Sequence, residues 1–144
     1  MKYIRTEELL EQLKLKDIRY EQYLAENEDS FVSEDLKEFW QEVIAKCGMS
    51  KVDIINKADI GYTYFYSVIG GKNYPSRDTI IKIFVAMGLS LEDCQRALKL
   101  YNWAQLYPKV KRDSIVIYAL NHSLSLYKLE EMLEENDEKG FKNQ

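Results

Sequence analysis

The chain has 144 residues, a net charge of -4, 31% charged and 46% hydrophobic side chains, a length that suits one domain burying ~70% of its unfolded surface. Two cysteines without CxxC spacing and a single histidine argue against a metal site or a disulfide framework and fit a reducing compartment. The longest apolar run, IVIYAL at 115–120, is far shorter than the ~20 residues that span a bilayer, and MKYIRTEELLEQL is acidic and amphipathic, so a cytoplasmic protein with no membrane partner is expected.

Hydrophobic spacing is helical nearly throughout, and an all-α fold without strands is expected. Thr6 caps TEELLEQLKL, and a second helix is expected from Asp17 to Leu24; together they make an N-terminal helical segment over residues 1–32. Leu36, Phe39, Trp40, Val43, Ile44 and Cys47 then follow i, i+3, i+4, i+7 spacing, with Ser33 as N-cap and Gly48 as the stop. Ser50-Lys51-Val52-Asp53 reads as a capping box opening a short helix to about Ala58. Asp59 is expected to take the left-handed backbone of a tight corner, and a helix over 61–70 begins just after it.

Beyond Pro75, Ser76 caps a helix whose Ile80, Ile83, Phe84 and Met87 form one stripe, ended by Gly88. Ser90-Leu91-Glu92-Asp93 is a second capping box, opening a helix with Leu91, Cys94, Leu98 and Tyr101 on one side. These elements define a domain over 33–102. Pro108 breaks the connection WAQLYPKVKR; residues 111–122 are apolar almost all round, which predicts a buried helix. Ser125 caps a last helix with Leu126, Leu129, Met132 and Leu133. Residues 103–136 are thus a C-terminal helical extension, and 137–144 a disordered tail.

Charge is unevenly spread. Residues 1–32 carry five basic against eight acidic side chains, and residues 114–144 three against six. Residues 33–100 hold nine of each, and 101–113 three basic against one acidic, so a basic surface is permitted in the middle of the chain.

The segment Lys51 to Gly70 resembles the helix-turn-helix of phage repressors and the wider xenobiotic-response-element family. Ile54, Ala58, Ile60, Phe65 and Val68 stand at the motif's apolar places, Gly71-Lys72-Asn73-Tyr74-Pro75-Ser76 looks like the family's loop, and MGLS at 87–90 like its junction before the fifth helix. The combination is specific where each piece alone is weak. Ile55 and Asp59 depart from the family's preferred Ala and Gly. The resemblance covers about half the chain and implies a repressor-like five-helix domain with additional N- and C-terminal helices packed on it. Residues 101–135 look like an extension found in regulators of this type from Firmicutes-like bacteria.

With Phe65, Val68 and Ile69 turned inward, Tyr62, Thr63, Tyr66 and Ser67 share the opposite face of the 61–70 helix. The resemblance directs these four to base edges in the major groove, where hydroxyls can donate or accept and Tyr rings or the Thr methyl can pack on thymine methyls. No Arg on this helix offers a bidentate guanine contact. Phosphates would meet Lys51, Lys72, Asn73 and Arg77, with Lys109, Lys111 and Arg112 as additional contacts. Each of these has a plain alternative. Arg77 beside Asp78 reads equally as a surface ion pair, and the 109–112 run as a solubilised linker. Lys57 reads as a solvated side chain, Tyr64 as core, and His122 as a helix C-terminal cap.

No Gly-rich phosphate loop and no Cys-His or Ser-His pair on a recognisable scaffold is evident, so neither an enzyme nor a cofactor is expected. The expected activity is sequence-specific transcriptional regulation, by a homodimer on double-stranded DNA with recognition helices ~34 Å apart. The alternative is the same fold used as a protein-binding module, with the tyrosine face meeting a protein partner.

Overall fold

A computed structural model describes residues 6–15, 19–26 and 36–141, and among them there are nine helices and no strand. The chain divides between residues 35 and 36 into two units. The first holds α1 (Thr6–Lys14) and α2 (Tyr20–Glu26), where Tyr20 and Tyr23 stack at 6.2 Å. Ser33 and Asp17, expected as a helix cap and a helix start, lie outside the described residues.

The second unit contains α3 (Leu36–Cys47), α4 (Lys51–Ala58), α5 (Tyr62–Ile69), α6 (Arg77–Met87), α7 (Leu91–Leu100), α8 (Lys111–Asn121) and α9 (Leu126–Glu135). Four of these helices start on a serine for one local reason. The hydroxyls of Ser50, Ser76, Ser90 and Ser125 each accept the backbone N–H three residues on, a donor the helix itself leaves unpaired. Asp59 closes α4 at φ 54°, ψ 53° and sends its N–H back to the last turn, so the expected left-handed corner is present. At Ser50 the hydroxyl accepts from the Asp53 N–H at 3.1 Å.

The sequence stripes mark the right residues for a core but not its centre. Helix α6 is buried at every position from Thr79 to Met87, including Ile81, Val85 and Ala86 outside its expected stripe, because α4, α7 and α9 all pack on it. Even Lys82 is covered, and its amine reaches the carbonyl of Asp59 at 3.3 Å, the stem lying along apolar surface. Helix α8, expected to be buried all round, is one-sided: Ile115, Val116, Ala119 and Leu120 face in, while Tyr118 stays exposed. Under α6 lies Trp40, fully buried, whose indole N–H donates to the Tyr101 hydroxyl at 2.7 Å. Burying that indole without a partner would cost about 1–3 kcal/mol.

One core runs from Phe39 to Phe141, so residues 103–136 contribute to the same unit as the helices before them. Residues 138–141, expected to belong to a disordered tail, are held against this core. Phe141 is 1% exposed, its ring 5.0 Å from the Arg112 guanidinium, and Arg112 holds the carbonyl of Lys139 at 2.8 Å. Among the described residues no helix is long and apolar enough to cross a membrane.

Candidate functional site

The spacing within YTYFYSVI separates two faces of α5. Phe65 and Val68 are wholly buried and Ile69 is half-buried. On the other side Tyr62 is 61% and Tyr66 37% exposed, with Thr63 exposed and Ser67 half-buried. These four line one open concavity of about 620 Å³ together with Lys37, Gly70 and Lys72. Tyr62 and Tyr66, one turn apart, bring their rings to 4.8 Å. The hydrogen bond with Tyr66, and then its charge, hold the Tyr62 phenol above its ordinary value. The amine of Lys51, at the first position of α4, stands 5.7 Å over the Tyr66 ring, within cation–π range.

The lysines come together through the loop after α5. The N–H groups of Lys72 and Asn73 both turn back to the Ser67 carbonyl, at 3.0 and 3.4 Å, which folds the loop over the end of the helix. Gly71 makes this turn at φ +77°, and a Cβ there would stand 3.7 Å from Leu36 Cβ and 3.9 Å from the Lys37 N–H nitrogen. The loop therefore lies on the first turn of α3 and sets Lys72 beside Lys37. Lys37 is the residue that sequence reasoning missed. Nothing local marks it, since only the seating of Gly71 on α3 brings it to the tyrosine face.

A second concavity, of about 430 Å³, runs between α3 and α5 and shares Lys37, Tyr66 and Gly70 with the first. Its remaining lining is Gln41, Ile44, Ala45, Lys51 and Ile69. Neither concavity has an acidic residue among its lining, in a chain whose net charge is -4.

Arg77 and Arg112, expected at phosphates, are engaged elsewhere. Arg77 donates through both terminal nitrogens to Asp113, at 3.1 and 2.9 Å, and also to the carbonyls of Ala104 and Gln105. Arg112 grips Asp78 in the same forked way, at 2.9 and 3.1 Å. The two Arg-Asp dipeptides, in the first turns of α6 and α8, thus cross-pair, and Arg77 binds Asp113 and not its neighbour Asp78. Lys111 gives its amine to the carbonyl of Asn136 at 2.7 Å, and Lys109 is exposed in the connection before α8. The expected phosphate set therefore separates: Lys51 and Lys72 border the tyrosine face with exposed Asn73 next to them, while the arginines tie helices together.

Tyr64, expected in the core, is 36% exposed. His122 follows α8 as its C-cap and rests its ring on Tyr118 at 4.1 Å. Burial pushes the Cys94 thiol up to about 12, so it is protonated and unreactive at neutral pH. Among the described residues no three His, Cys, Asp or Glu side chains gather in a way that could hold a metal ion. No protein-family model matches the chain, and no curated protein or solved structure is significantly similar to it.

Proposed function

We propose that the chain is a sequence-specific DNA-binding regulator with a phage-repressor-like domain formed by α3 to α7. In this reading α4 and α5 are the helix-turn-helix, and α5 enters the major groove as a homodimer binds double-stranded DNA. The observation that carries it is the outer face of α5. Four hydroxyl side chains stand together there, bordered by Lys37, Lys51 and Lys72 and free of acidic lining, while the rest of the chain is acidic. Hydroxyls on Tyr62, Thr63, Tyr66 and Ser67 suit base edges and thymine methyls. The lysines and Asn73 suit the phosphates on either side, positioning the helix without reading sequence. The order and length of the helices support the reading, as do the serine cap of α4 and the left-handed corner at Asp59.

The decisive experiment is selection of genomic DNA fragments on the purified protein at two salt concentrations. A regulator enriches a short motif with two-fold symmetry and loses affinity steeply as salt rises, because each neutralised phosphate releases counterions. A salt-labile background with no enriched motif would sink it. A second reading, the same fold as a protein-binding module, is favoured by the acidity of both chain ends and by the absence of Arg from α5. Under that outcome the tyrosine face meets a protein.

A further inference from the structure

We infer that the groove between α3 and α5 is a docking site for an acidic amphipathic helix of a partner protein, and that its occupation excludes DNA from the neighbouring face. The exclusion rests on the DNA-binding reading; the docking does not. The floor of the groove is apolar, made by Ile44, Ala45 and Ile69, with the Tyr66 ring as a wall and Lys37 and Lys51 at its edges. A volume of about 430 Å³ falls in the range of ligand-binding clefts. A phosphate backbone offers nothing apolar to fill such a floor. An amphipathic helix does, since residues at i, i+4 and i+7 project along one side and enter a groove as a row.

Charge selects among such helices. Both titratable side chains lining the groove other than tyrosine are lysines, with no carboxylate among them, and Lys51 is held against the Tyr66 ring at 5.7 Å. A helix whose leucine row is flanked by glutamates is complementary to this border, and one flanked by lysines is repelled. Because Lys37 and Tyr66 line both concavities, a helix seated in the groove covers side chains that the DNA-binding face requires.

The test uses the full chain and a fluorescein-labelled synthetic helix with Leu at i, i+4 and i+7 and Glu at the flanking positions, read by fluorescence anisotropy. Saturable binding is expected. It should weaken by roughly tenfold or more for Ala45→Phe, which fills the floor, and for Ile44→Ser, which strips it, since each removes about one leucine's worth of burial. Thermal melts of both variants identify any loss that comes from unfolding. The same peptide should displace a DNA site recovered by selection, while Ala45→Phe keeps its DNA affinity. Equal binding of a lysine-flanked peptide, equal binding to both variants, or no saturable binding overturns the docking site. Loss of DNA affinity in Ala45→Phe as large as in Tyr66→Ala also overturns it, because the groove then belongs to the DNA surface. Peptide binding with no selected DNA motif leaves the docking site standing and fells the DNA reading; a selected motif without peptide binding does the reverse.

Discussion

Tyr66 joins both concavities, so its removal separates contact from packing. At 37% exposed, Tyr66→Ala should leave stability within about 1 kcal/mol of the parent, while Tyr66→Ala and Thr63→Ala both shift the preferred DNA site in a selection assay. Lys72→Ala should weaken all sites alike and lower the slope of log affinity against log salt by roughly one. Unfolding of Tyr66→Ala in a thermal melt would reassign that ring to the core. A different residue contributes to acid stability. Burial opposes ionisation of Asp93, yet bonds from the Lys46 amine at 3.0 and 3.1 Å and from the Ser90 hydroxyl at 3.1 Å prevail and hold its carboxyl below the usual value. A depressed carboxylate stabilises the fold above its unfolded pKa, about 3.9, and that contribution is lost as pH falls through the lower folded value. Asp93→Asn should therefore cost about 1 kcal/mol at pH 7 in a denaturant titration, with the gap to the parent closing in strong acid. The hydroxyl face of α5 was legible in the sequence because i, i+4 spacing is local. Lys37 was not, because a glycine 34 positions along decides where it lies.

At the scale of elements, what the sequence showed was whatever neighbouring residues decide among themselves. The serine caps are of this kind: each hydroxyl meets an N–H three residues away, so the pattern implies the bond. The corner at Asp59 is another, since few residues tolerate its backbone. Asp does so with strain, and Asp59→Gly should raise stability by about 0.5–1 kcal/mol, read as a higher denaturant midpoint with an unchanged slope. The bond from Lys82 survives that change because it ends on the backbone carbonyl; a lower midpoint would mean that the carboxylate itself stabilises the corner. Which helix becomes central is decided differently. Helix α8 is apolar nearly all round in sequence yet exposes Tyr118, and α6 buries residues off its stripe. The cause is the number of helices that surround each, and periodicity carries no information about that.

At the scale of the whole molecule, the crossed arginines tie α8 and the residues that follow it to α6. Asp113, 5% exposed, takes both forks of Arg77 and the N–H of Tyr107; Arg112 takes Asp78 and then the carbonyls that lead the chain to Phe141. Each pair joins positions more than thirty residues apart, 36 for Arg77 with Asp113 and 34 for Arg112 with Asp78, so charge counting along the sequence left the 109–112 run open between phosphate contacts and a solubilised linker. Both aspartates also lie in the first turn of their helices, where the helix dipole favours a negative charge. Removing one partner strands the other in a site already withdrawn from water, which is more costly than the pair is stabilising. Arg77→Ala should therefore lower unfolding free energy by about 2–3 kcal/mol, with a coupling of roughly 1–3 kcal/mol to Asp113→Ala in a double-mutant cycle. In the DNA assay its salt slope should match the parent's, because this guanidinium is already held by Asp113 and the carbonyls of Ala104 and Gln105. A slope lowered by about one with stability unchanged would return Arg77 to the binding surface and mean that its pairing with Asp113 opens when DNA arrives.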